Sequence, residues 1–69
     1  MNTGDFLECF EPLTLSEKVR LKRLARRMRQ VDVASAARVA VVDVVAFEKD
    51  REVPDHTSQR ILNALDMER

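Results

Sequence analysis

The sequence predicts an all-α protein, a small bundle of four or five helices. Three observations lead there. Thr14 to Glu17 (TLSE) reads as a capping box, a Thr at the N-cap with a Glu three residues on, opening a helix. The segment TSQRILNALDM repeats its apolar residues at helical spacing, with Ile61, Leu62 and Leu65 on one face. The most strand-like stretch, VAVVDVVAFEKD at 39–50, has no second strand to pair with, and an isolated strand leaves its backbone donors unsatisfied.

Taken in chain order, residues 1–13 form an N-terminal extension and residues 14–69 the folded domain. Pro12 separates the extension, which carries Phe6, Leu7, Cys9 and Phe10. The first helix is EKVRLKRLARRMR, with Leu21, Leu24, Ala25 and Met28 at i, i+3, i+4 and i+7. Val33, Ala34 and Ala37 give a second, shorter helical face. The valine run follows, with five valines in the seven positions 39–45. Valine favours strands by propensity, but the context selects a helix. That helix turns Val44 and Phe47 inward and leaves other apolar side chains on its outer face. A charged turn, EKDREVPD, is punctuated by Pro54 before the last helix. The predicted core is Val19, Leu24, Met28, Val33, Ala34, Ala37, Val39, Val44, Phe47, Ile61 and Leu65.

Composition narrows the class. Sixty-nine residues make one domain, and a chain this short buries only about 60% of its unfolded surface. With 45% hydrophobic and 35% charged residues it has the composition of a soluble globular protein. No apolar run approaches the roughly 18 residues that span a bilayer, so no membrane association is expected. The start, MNTGDFLECFEP, has neither the basic residues nor the apolar stretch of a secretory signal. The single cysteine cannot form an internal disulfide, so a cytoplasmic location is expected.

The net charge of zero hides a basic block. Residues 1–17 carry four acids and no base, whereas residues 18–38 carry eight bases and one acid, Asp32. The first-helix cations Lys18, Arg20, Lys22, Arg23, Arg26 and Arg27 read either as a solvated face or as a track for nucleic acid or an acidic partner.

The order of elements, with several residues at matching positions, resembles the Cro/repressor-type helix-turn-helix family over about residues 15–67. Met28 and Gln30 stand where that family has a leucine and the glutamine that begins its second helix. Val33-Ala34 resemble its leucine–alanine pair and Val39 the valine of its turn. Val44, Phe47 and Glu48 resemble its third-helix isoleucine and isoleucine–glutamate, and VPDHTSQRILNAL its proline-led final helix. The resemblance implies a lambda-repressor-like helix-turn-helix near residues 30–48. It also implies a structural ion pair between Arg23 and Glu48, which fixes geometry more than it adds stability. Three positions depart from the family pattern. Arg38 stands where the turn has a left-handed glycine, at a cost of about 1 kcal/mol. Ala40 replaces the serine that caps the third helix, a further loss of about 1 kcal/mol. Asp50 replaces the glycine after that helix.

In function, the resemblance implies a small DNA-binding transcriptional regulator. Duplex DNA is its expected partner, at modest affinity, and a homodimer is expected because one short helix reads few bases. The DNA-contacting positions would be Arg29, Gln30, Arg38, Val41, Val42, Val45, Ala46, Lys49 and Arg51. Direct readout relies on side chains that bond base edges. Val41, Val42, Val45 and Ala46 offer no such bond, only contact with a thymine methyl. Asp43, Asp50, Glu52 and Asp55 would repel phosphate.

The alternative is a degenerate helix-turn-helix acting as a protein-interaction module. It would bind a repressor, a polymerase subunit or its own copy through Val41, Val42 and Val45, with Phe6, Leu7 and Phe10 serving the same end or packing back on the domain. Nothing points to an enzyme, a metal or another cofactor. One His and one Cys lie far apart in sequence, the consecutive side chains of DHTS at 55–58 do not converge as a triad, and Gly4, the only glycine, makes no phosphate loop.

Overall fold

The computed structural model describes residues 13–67 as four helices with no strand among them. These are α1 (Leu15–Ala25), α2 (Gln30–Ala37), α3 (Val41–Glu48) and α4 (Asp55–Ala64). Residues 1–12 of the N-terminal extension, with Phe6, Leu7, Cys9 and Phe10, lie outside the described residues. None of the four helices is long and apolar enough to cross a membrane.

Two of the four helices start where side chains satisfy their first donors. At α1, Thr14 Oγ1 accepts from the Glu17 backbone N–H (3.2 Å), and the Glu17 carboxylate accepts from the Thr14 backbone N–H (3.1 Å). At α2 the Asp32 carboxylate reaches back to the Arg29 backbone N–H at 2.8 Å. By contrast, α3 begins at Ala40 and α4 at Pro54, neither of which supplies a capping side chain.

All four helices end in one way. A left-handed residue follows the last turn, and the next amide bonds back to the carbonyl five residues earlier. The left-handed residues are Arg27, Arg38, Asp50 and Asp66, none of them glycine. The closing bonds run from Met28 N to Arg23 O, Val39 N to Ala34 O, Arg51 N to Ala46 O and Met67 N to Leu62 O, at 2.8–3.0 Å. The first of these corrects the sequence reading of α1. The helix stops at Ala25, not Arg29, because Arg27 turns left-handed and sends the chain toward α2.

The core is Val19, Val33, Ala34, Ala37, Val44, Phe47, Ile61, Leu62 and Leu65, with Met28 and Val39 partly buried against it. Leu62 was missing from the expected core, and Leu24 was wrongly included. Leu21 and Leu24 are 51% and 50% exposed. The inward face of α1 is instead Ser16, Val19 and Arg23, at i, i+3 and i+7. Arg23 is held inward by three bonds, Nε to Glu48 Oε2 (2.7 Å), Nη2 to Glu48 Oε1 (3.0 Å) and Nη1 to the Met28 carbonyl (3.0 Å). Turning Arg23 toward α3 rotates Leu21 and Leu24 off the core. Ser16 contributes from the same face, its Oγ donating to Asp50 Oδ1 at 3.3 Å.

The valine run is thus helical. Val39 lies in the turn, Ala40 precedes α3, and Val44 and Phe47 are buried.

Candidate functional site

The Arg23–Glu48 bridge organises the surface where α1, α2 and α3 meet. Both side chains are largely withdrawn from water, at 11% and 4% exposure. The fork-to-fork geometry gives two parallel N–H···O bonds. Gln30, the first residue of α2, donates Nε2 to the same carboxylate at 3.3 Å. Glu48 therefore joins all three helices, and Gln30 is committed partly to holding it.

Above this bridge lies an open groove of about 700 Å³. Its floor is the bridge and Met28, and its rim carries Arg20, Arg27, Arg29, Gln30 and Lys49. Five cations and one carboxylate line it, and that carboxylate is neutralised by Arg23. Arg29 is turned to its own helix, with Nε and Nη2 each 3.2 Å from the Asp32 carboxylate. This pairing holds the Asp32 carboxyl below the usual carboxylate range, first through the Arg29 side-chain bonds and then through the Arg29 backbone N–H. The same bonds raise the Arg29 guanidinium. Arg20, Arg27 and Lys49 are exposed and form no ion pair among the described residues. Three uncommitted positive charges over a buried, neutralised base suit a polyanion backbone.

The other candidate residues are distributed more widely. Arg38 stands in the α2–α3 turn and lines a separate hollow with Arg60 and Asn63 of α4. Arg51 lines a third hollow beside Asp50, Glu52 and Asp55, where carboxylates offset its charge. On α3, Val41 and Val42 are 45% and 65% exposed, whereas Val45 and Ala46 are partly buried. The outward face of α3 therefore presents chiefly the two valines of its first turn. Val31 of α2 is also about half exposed.

The structure thus brings Arg29, Gln30 and Lys49 together and adds Arg20 and Arg27, which the sequence offered only as members of a charged helix face. Their signal was weak. Arg20, Arg23 and Arg27 fall at i, i+3 and i+7 on one helical face, a spacing common to many solvated charged faces.

No protein-family model, curated protein or solved structure matches this chain.

Proposed function

We propose that this chain is a small DNA-binding regulator of the Cro/repressor type. In this reading α2, the Arg38–Ala40 turn and α3 form its helix-turn-helix. The observation that carries it is the cationic groove at the junction of the three helices, with Arg20, Arg27 and Lys49 uncommitted around the Arg23–Glu48 bridge. Contacts of this kind position a protein on the phosphate backbone and carry no sequence information themselves. Placed in the major groove, α3 would offer bases only Val41 and Val42. These discriminate through thymine methyls and lack the bidentate bonds that are each worth about 1–3 kcal/mol. The function is therefore backbone-dominated duplex binding with weak base preference, and specificity would come from a dimer reading two half-sites.

The test is a salt titration of binding to random and genomic duplexes. Three phosphate contacts per protomer give a slope of log K against log salt of about −2.7, so raising salt from about 50 to 200 mM weakens binding roughly 40-fold. Replacing Arg20, Arg27 and Lys49 with Gln flattens that slope toward zero. Absence of duplex binding at low salt defeats the proposal.

A second reading is favoured by the exposure of Val41 and Val42. Two unpartnered valines on one turn suit a helix-packing contact with another protein or a second copy. Val41→Ser with Val42→Ser separates the readings. Loss of an oligomer or partner with duplex binding intact selects the protein-interaction module.

A further inference from the structure

The hollow between the end of α2 and the second half of α4 carries cations and no carboxylate. It measures about 450 Å³ and is lined by Ala36, Ala37, Arg38, Arg60, Asn63 and Ala64. By contrast, the cationic groove includes Glu48, and the hollow beside Arg51 includes Asp50, Glu52 and Asp55. The helices explain why these residues meet. α2 packs on α4, and Arg60, Asn63 and Ala64 fall at i, i+3 and i+4 on one face of α4. Arg38 follows the last turn of α2, where its left-handed backbone (φ 59°) redirects the chain toward α3. Ala37 is buried and Ala64 partly so, which gives the hollow an apolar floor.

The polar groups on this lining are donors without acceptors. Arg38 and Arg60 are exposed and form no ion pair among the described residues. Asn63 Oδ1 accepts from Gln59 Nε2 at 3.0 Å, and the Asn63 Nδ2 donors have no partner among the described residues. Arg38 also carries a backbone cost that its side chain does not offset. Of the four left-handed residues, Asp50 accepts from Ser16 Oγ, Asp66 accepts from Arg26 Nη2, and Arg27 lines the cationic groove. The Arg38 side chain bonds to no described residue. A strained backbone under a side chain with no internal bond is the kind of position that function retains.

We propose that this hollow binds an acidic segment of a partner protein, one that presents glutamate or aspartate. Each carboxylate pairs with the planar fork of Arg38 or Arg60, whose geometry it matches. The side-chain methylenes of the ligand lie on the alanine floor. A phosphate backbone offers no such apolar stem, which favours an acidic peptide over a second stretch of duplex. The hollow also shares no lining residue with the cationic groove and lies at the other end of α2, about 10 Å along its axis. A partner bound there leaves Arg20, Arg27 and Lys49 to the duplex.

The test is a titration of the nitrogen-15-enriched full chain with a capped hexaglutamate peptide. It is run at about 150 mM salt, where charges more than about 8 Å apart are largely screened. Saturable shifts are expected in the backbone amides of Arg38, Val39 and Ala64 and in the Asn63 side-chain amide. Arg38→Gln with Arg60→Gln weakens that binding roughly tenfold, through the loss of two exposed charge pairs. The triple Gln variant at Arg20, Arg27 and Lys49 leaves it unchanged. Arg38→Gly weakens it too, although this variant relieves the backbone strain and keeps its helical circular dichroism. Absence of saturable shifts overturns the proposal, as do shifts confined to Arg27, Gln30 and Lys49 or equal peptide affinity in the Arg38, Arg60 variant. A tenfold loss of duplex affinity in that variant assigns the hollow to the phosphate backbone and overturns it as well. The peptide titration contains no nucleic acid, so its failure is distinct from failure of the DNA-binding reading.

Discussion

Helices α1 and α3 are joined by one ion pair and break the amphipathic rule in opposite directions. α1 turns polar groups inward, Ser16 and Arg23, and leaves Leu21 and Leu24 half in water. α3 turns Val44 and Phe47 inward as expected and also places Val41 and Val42 outward. The inward polar groups of α1 set geometry, because the Arg23 guanidinium can satisfy Glu48 and the Met28 carbonyl in only one arrangement of the helices. The outward valines of α3 contribute little to folding and gain meaning only from something that covers them. Apolar residues outside a small core and charged residues inside it are thus different signals, one about partners and the other about register.

The largest effect comes from breaking the inward side of this contrast. Arg23→Met leaves the Glu48 carboxylate buried without its partner, and the expected destabilisation is about 3 kcal/mol or more. Glu48→Leu alone strands the guanidinium with a comparable loss. The double variant removes both charges and recovers most of the stability, so urea midpoints of the four proteins show strong coupling. Simple additivity of the two losses would mean that the bridge behaves as two independent surface charges.

The outward side is tested by one substitution made twice on the same helix. Val44→Ala removes two methyls from a fully buried position and costs about 2 kcal/mol. Val42→Ala makes the same change at a 65% exposed position and shifts stability by no more than about 0.5 kcal/mol. Equal losses would show that Val42 is covered in solution, which a concentration-dependent midpoint would trace to self-association.

A smaller gain is expected at the junction between α2 and α3. Ala40 leaves the first amides of α3 without a side-chain acceptor, so Ala40→Ser stabilises by about 1 kcal/mol. Arg38 holds φ 59°, and Arg38→Gly relieves a left-handed strain of similar size, about 1 kcal/mol. Thermal unfolding of both variants checks this, and an unchanged Arg38→Gly midpoint would assign the Arg38 side chain a compensating contact.

These departures show which parts of the molecule were legible in sequence. The helical state of the valine run could be read because no strand was available to pair with it, and TLSE announced the start of α1 in four residues. The rotation of α1 could not be read. Its period-3.6 stripe of Leu21, Leu24 and Met28 is genuine, but a buried ion pair to a residue 25 positions away overrode it. The helix ends were equally obscure, since glycine is the usual sign of a left-handed stop and this chain uses Arg and Asp instead. At the site, the resemblance put Arg29 and Gln30 at the start of the second helix and Lys49 in a flanking turn, and the packing of the helices is what lines one groove with all three. Arg27 stands four residues after Arg23, so its place beside the bridge agrees with helical spacing, whereas the acidic surroundings of Arg51 depend on how the turn after α3 folds back on the start of α4.

The smallest predicted effect is also the one that most cleanly separates α1 and α2 from α3 and α4. Glu17 and Asp32 both lie below the usual carboxylate range. Glu17 is lowered first by the Thr14 backbone N–H and then by its hydroxyl, and Asp32 first by the Arg29 side chain. A carboxyl whose folded pKa is depressed gives its full stabilisation above the unfolded value, near about 4. That stabilisation declines as pH falls from there through the folded value, because the unfolded chain takes up the proton more readily. The first turns of α1 and α2 therefore loosen below about pH 4, while α3 and α4, which begin at Ala40 and Pro54, lose no such cap. Amide exchange followed from pH 6 downward should show protection falling first at Glu17 and Lys18 and at Asp32 and Val33. Glu17→Gln and Asp32→Asn would remove that pH dependence at their own helix. Loss of protection appearing first in α3 or α4 would overturn this assignment.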